Sequence, residues 1–283
     1  MTEDLLVDAL SHKPHDPLYH YTTQEGFLKI IDKMELWATH TQYLNDYQEY
    51  LHALTLVRQE INLKIKTAID ANNVFLLQEM LKDIIGLENT NVCVCSFSTE
   101  RDSLSQWRAY GSAASGFAIG FSGPFLYEVA KRENFYLAPC IYEEEKQRKL
   151  INSIIQRALE DYSAQPINRE ESYSIGNYLC PDLDRYAPIM KCDSFSEEKE
   201  WRIYSRPKSC RSERFDFRAG KSMIVPYYRL PLAKKPDHLQ ITEVVIGPTP
   251  HPEQSIRSVE SFLVSKKLRN IPVAISDVPY RNW

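Results

Sequence analysis

Strand-length apolar runs and helix-length amphipathic segments follow one another in this chain in no regular order. That irregularity is the tightest constraint on its fold. Leu18-Tyr19-His20-Tyr21-Thr22 reads as a strand. Thr22 or Thr23 then caps a helix carrying Phe27, Leu28, Ile30 and Ile31. Trp37-Ala38-Thr39 is a second short strand, and Asn45-Asp46 caps a helix through Tyr50, Leu51, Leu54 and Val57. Helical spacing continues through Ile61, Ile65 and Ile69 and, past Asn72-Asn73, through Leu76, Leu77, Met80 and Leu81, which predicts a helical hairpin or insertion at about residues 46–88.

Further strands are expected at Val92–Phe97, Gly116–Phe121, Phe135–Tyr142, Trp201–Tyr204, Met223–Tyr227, Val244–Ile246 and Val273–Ser276. Helices are expected at Ser103–Tyr110, around Leu150–Leu159 and at Pro252–Lys267, with 168–192 helical in part. No regular strand–helix–strand alternation emerges, so α+β is preferred to a doubly wound sheet. Residues 1–17, broken by Pro14 and Pro17, read as a loose leader, and residues 18–283 as a single domain.

Composition excludes several classes. The chain has 283 residues, 43% hydrophobic and 25% charged, enough for a substantial core. A net charge of -4 argues against an obligate duplex-binding protein, although one groove can be basic in an acidic protein. No apolar run approaches the roughly 18 residues of a membrane span. The acidic start, Met1-Thr2-Glu3-Asp4, is unlike a secretory signal, so a cytoplasmic protein without membrane partners is expected. Six cysteines without short regular spacing read as free thiols.

Four clusters could carry chemistry. His20 and Thr22, where a strand hands over to a helix, offer groups that can bond sugar hydroxyls. Tyr43-Leu44-Asn45-Asp46, with Glu49 one turn later, is a helix cap or, with His20 or His40, a metal site. Ser105-Gln106-Trp107-Arg108-Ala109-Tyr110-Gly111 places an amide, an indole, a guanidinium and a phenol in about two turns, with Gly111 as the helix end. Arg108 suits a pyrophosphate, and Tyr110 or Trp107 a flat ring; the plainer alternative is an amphipathic helix that buries Trp107. In Glu198-Lys199-Glu200-Trp201-Arg202-Ile203, strand alternation puts Glu198, Glu200 and Arg202 on one face, either a solvated edge or a carboxylate held by Arg202. Cys93 and Cys95 share a strand face and read as buried thiols, with no second close pair to complete a zinc site.

The motifs LYHYT (18–22), LWATH (36–40), YLND (43–46), CSFS (95–98), SQWRAYG (105–111), GFAIGF (116–121), EKEWRI (198–203), VVIGP (244–248) and SDVPYR (276–281) together resemble a bacterial family of unassigned domains met among phage-defence and mobile-element proteins. The order of a first histidine, a middle aromatic and a late glutamate also resembles ADP-ribosyltransferases of the His–Tyr–Glu type. That resemblance implies a split β-sheet core with helical insertions, NAD as substrate and no metal. It implies that His20, with Tyr21 and Thr22, holds the adenosine ribose, that Tyr110 stacks on nicotinamide (Tyr43 and Tyr21 being competitors), and that Arg108 holds pyrophosphate. Glu200 would then be the catalytic carboxylate, so glutamine there is expected to abolish transfer and spare folding. The implied acceptor is RNA, DNA or protein, and the implied setting a toxin or phage-defence effector with a neutralising antitoxin partner. Two other classes fit the same residues: a metal-dependent nuclease using His20, Asp46, Glu49 and Glu200, and a non-catalytic nucleotide sensor or antitoxin-like partner.

Overall fold

The computed structural model describes residues 2–44, 47–85, 90–110, 116–164, 174–220 and 222–279. Along the chain, α1 (Thr2–Ser11) precedes β1 (Leu18–Thr23), α2 (Gln24–Lys33) and β2 (Glu35–His40). Next come α3 (Tyr47–Thr67), α4 (Ala71–Asp83), β3 (Cys93–Ser98), α5 (Leu104–Tyr110), β4 (Gly116–Phe121), α6 (Gly123–Arg132) and β5 (Phe135–Pro139). The remainder is α7 (Glu144–Ser163), α8 (Gly176–Tyr186), β6 (Glu200–Ser205), β7 (Phe215–Ala219), β8 (Ile224–Pro231), β9 (Ile241–Ile246), α9 (Pro252–Ser265) and β10 (Val273–Ile275).

The strands form one large open mixed sheet in the order β10-β9-β4-β1-β3-β2-β8-β7, with β6 also pairing β3 and β5 pairing β6. All pairings are antiparallel except β9 with β10. Two-residue alternation gives each strand two apolar faces. Leu18, Cys93, Cys95, Phe97, Phe117 and Ile203 pack on α2, α6 and α9 through Phe27, Leu126 and Leu263. On the reverse face Val94, Ala138 and Tyr204 meet α1, α3, α4, α7 and α8 in a second core. A smaller cluster of Tyr19, Tyr21, Ala118 and Val245 covers that reverse face under Trp107 of α5.

Several expectations need correction. The N-terminus is not a loose leader: α1 buries Leu6, whose carbonyl accepts from the Tyr186 hydroxyl at 2.9 Å. The hairpin of α3 and α4 exists, but it is no mere insertion, because its apolar side shares a core with α7 and α8. Its break falls before Ala71, where the Asp70 carboxylate caps the Asn72 and Asn73 amides, and not at Asn72-Asn73. Helix α6 and strand β7 were not expected. Asn45, Asp46 and Gly111 lie outside the described residues, as does the side chain of Glu49.

A divergence within the sheet creates an opening along β3. Strand β3 pairs with β6 along Val94–Ser98. Along its opposite edge it meets β2 only at Cys93 and Val94, and β1 only at Ser98. Strands β1 and β2 therefore diverge from the two ends of β3, and Cys95–Phe97 face an opening between them. Helix α2 joins the two diverging strands. Its first turn is capped by Thr23, whose hydroxyl accepts from the Gly26 amide at 3.1 Å. A side chain at Gly26 would run into the Thr22 hydroxyl, so glycine lets β1 and α2 approach there.

Candidate functional site

A cleft of about 790 Å³ lies over the divergence of β1 and β2. His20, Tyr21, Thr22, Tyr110 and Glu200 all line it, together with Tyr43, Gln106, Lys191, Glu198, Arg202 and Arg218.

His20 plugs the opening in the sheet. Its Nδ1 lies 2.9 Å from the Ser96 carbonyl oxygen, on the stretch of β3 that pairs with β6 but with neither β1 nor β2. A carbonyl only accepts, so Nδ1 carries the proton and donates. The Cys95 sulfur lies 3.7 Å from the same nitrogen, and the Phe97 ring centroid 5.6 Å from the imidazole. Burial lowers the His20 pKa below the usual 6.5, outweighing the opposing bond to Ser96. A neutral ring with its proton on Nδ1 leaves Nε2 as an acceptor for a ligand hydroxyl. Nitrogen-detected NMR titration is expected to show the Nδ1–H tautomer and a midpoint below 6.5. A midpoint above 6.5, or the opposite tautomer, would remove this role.

Helix α5 sorts its side chains by helical spacing. Gln106, Ala109 and Tyr110, at i, i+3 and i+4, line the cleft. Trp107 turns into the core, its ring centroid 4.7 Å from that of Tyr21, and its indole donates to Asp102 at 2.6 Å. Arg108 stands about 200° around the helix from both Gln106 and Tyr110. It is exposed and does not line the cleft, which corrects the expectation that Arg108 faces a ligand beside Tyr110.

Tyr21 borders the cleft but is committed to the fold. Its hydroxyl donates to the Glu100 carbonyl at 2.8 Å and accepts from the Ser103 amide at 3.1 Å. Half-buried Tyr110 and Tyr43 also line the cleft, Tyr43 standing edge-on to His40 at 5.4 Å.

Glu200 is neither solvated nor at a sheet edge. Strand β6 is internal, with Trp201 and Ile203 packed on one core and Glu200 and Arg202 on the other side. Glu198 lies in a 3-10 turn before the strand, because Lys199 adopts a left-handed conformation at φ 43°. Glu200 is only 4% exposed and accepts from Arg202 Nε at 2.8 Å, Arg202 Nη2 at 3.0 Å and Lys191 Nζ at 2.7 Å. Lys191, 1% exposed, also donates to Glu198 at 2.9 Å. Burial pushes the Glu200 carboxyl up, but Arg202 and Lys191 more than offset this and hold its pKa at about 2. Arg202 bonds Glu200 fork to fork, which fixes the carboxylate plane, and with Lys191 on one oxygen this leaves one further lone-pair direction.

Lys191 joins the site from a segment whose sequence did not mark it, beside Glu198 of the cluster that the sequence did mark. Only Lys191's place between apolar Met190 and Cys192 hints that its charge needs a buried partner. Among the described residues no group of three or more His, Cys, Asp or Glu side chains is placed to hold a metal. Of the nuclease ligand set, Glu200 is engaged by two cations and His20 Nδ1 by a carbonyl, while Asp46 and the side chain of Glu49 lie outside the described residues.

Residues 106–203 match a family described as "Protein of unknown function (DUF2971)". That stretch runs from Gln106 through α5 to β6, and so takes in Tyr110, Lys191 and Glu200 but not His20. No curated protein and no solved structure matches the chain. No helix among the described residues is long and apolar enough to cross a membrane.

Proposed function

We propose that this protein transfers ADP-ribose from NAD to a macromolecular acceptor. One observation carries the reading: His20, Tyr110 and Glu200, spread over 180 positions, border the same cleft. The neutral imidazole of His20 suits a ribose hydroxyl. Tyr110 supplies a ring against which nicotinamide can stack. Glu200, ionised and rigid, would accept from the 2′-hydroxyl of the nicotinamide ribose and stabilise the positive charge that grows on that sugar.

In this step the bond between C1′ and the nicotinamide nitrogen breaks, and its electron pair leaves with nicotinamide. An acceptor oxygen or nitrogen forms the new bond to C1′ and gives up its proton to solvent. A toxin or phage-defence effector, held in check by a protein partner, is the setting that fits such chemistry.

The neutralisation of Glu200 by two cations favours one other reading, a pocket that binds nucleotide without turnover. The two separate in one experiment. Purified protein is incubated with NAD labelled in its adenosine half and with cell lysate, and nicotinamide, nucleic acid and protein are then analysed. Free nicotinamide with label in one macromolecular fraction is expected, and that fraction identifies the acceptor as RNA, DNA or protein. Bound NAD without released nicotinamide would make the protein a sensor.

A further inference from the structure

Four cations border the cleft: Lys29, Lys191, Arg202 and Arg218. Lys29 pairs with Glu25 at 2.5 Å, Lys191 with Glu198 and Glu200, and Arg202 with Glu200. Arg218 differs. Among the described residues no carboxylate lies within ion-pair distance of it, and its bond is a long one of 3.4 Å from Nη2 to the Thr39 hydroxyl. Asp216, two residues earlier on the same strand face, is taken up by the Tyr227 hydroxyl at 3.4 Å and by Arg229 at 3.9 Å.

The place of Arg218 is set by the sheet. It pairs with Val225 across the β7–β8 hairpin, and β8 in turn pairs with β2. Its side chain reaches back over β8 to Thr39, on the wall opposite to β1 and α5. Trp37 stiffens that wall, its ring stacked on Tyr227 at 4.5 Å.

We infer that Arg218 anchors the phosphate portion of the ligand, the role the sequence suggested for Arg108. The inference rests on the NAD reading for the identity of the ligand, but its charge argument is independent of it. A guanidinium with no carboxylate competitor can turn its planar fork to two phosphate oxygens at the cost of one weak hydroxyl bond. The anchor then lies across the opening from His20 and Tyr110, so a dinucleotide would span the gap between the diverging strands.

The test is calorimetric titration of the full chain with NAD and, separately, with inorganic pyrophosphate, at two ionic strengths. Arg218→Gln is expected to weaken NAD about tenfold to a hundredfold and to flatten the salt dependence of binding. Arg218→Lys should keep the salt dependence yet lose affinity, and Arg108→Gln should bind as the wild type does. Unchanged NAD affinity in Arg218→Gln would overturn the inference and leave the transferase reading standing. Pyrophosphate bound in an Arg218-dependent way, without NAD binding, would keep the anion site and remove the NAD reading. Binding of neither probe by the wild type overturns both.

Discussion

Replacing Glu200 by glutamine is expected to lower ADP-ribosyl transfer about a hundred- to a thousandfold and to destabilise the protein by about 3–5 kcal/mol. The first effect follows from losing a preorganised negative charge beside a developing cation. The second follows from Lys191 and Arg202, which are almost wholly buried and would lose the carboxylate that both of them bond. The expectation from sequence that glutamine spares folding is therefore replaced.

The sign with pH is fixed by the direction of the shift. The native carboxyl titrates near 2, below its ordinary 4.5, so its contribution is complete above 4.5 and disappears as pH falls toward 2. Wild-type urea midpoints should drop across that window, whereas those of Glu200→Gln should start lower and change less. Adding Lys191→Met to Glu200→Gln removes one of the two buried cations and should return part of the stability without activity. An undiminished rate of nicotinamide release in the single variant would take Glu200 out of the chemistry. Equal urea midpoints would show that the network does not hold the cleft floor.

Trp107→Ala carries the second large effect, about 3–5 kcal/mol of stability together with loss of ligand binding. Trp107 is 3% exposed, and its indole nitrogen is bonded to Asp102. Asp102 in turn accepts from the Ser276 hydroxyl at 2.6 Å and from the Asp277 amide at 2.7 Å. One side chain thus ties α5 to β1 and to the segment after β10. Removing it frees the helix that carries Gln106 and Tyr110 to the cleft. Chemical unfolding and NAD titration of the variant measure the two consequences. A variant with wild-type affinity would show that α5 is positioned by other contacts.

The strands of the central sheet were legible as short runs of apolar, aromatic and β-branched residues, buried on both faces, and the clear amphipathic helices were legible from their spacing. What escaped had a local signal that pointed elsewhere. Ser122-Gly123-Pro124 looks like a breaker, yet Ser122 caps α6 and proline sits harmlessly in its first turn. Strand β7 was hidden inside a stretch that reads as a basic surface, Arg211 to Arg218. Helix α1 precedes two prolines, and among its described side chains Leu6 is the large one that is fully buried. At the site, His20, Tyr110 and Glu200 could be picked out by residue type and local element. Of the partners of Glu200, Arg202 could be picked out by strand alternation and Lys191 could not, because the pairing of Lys191 with Glu198 and Glu200 depends on which loop folds over which strand. Arg108 and Arg218 could be separated only once helix phase and strand register were known.

The divergence of β1 and β2 also imposes an order of assembly. These strands are made first, yet β2 gains its outer neighbour from β8 and β4 gains its own from β9. The carboxylate network arrives with β6, from about residue 200 onward. Pairings of such long sequence separation close late, after much loop entropy has been lost. A chain still emerging from the ribosome therefore carries the imidazole and lacks the ion-paired floor, and the cleft comes into being only after β8, which supports β2, has been synthesised.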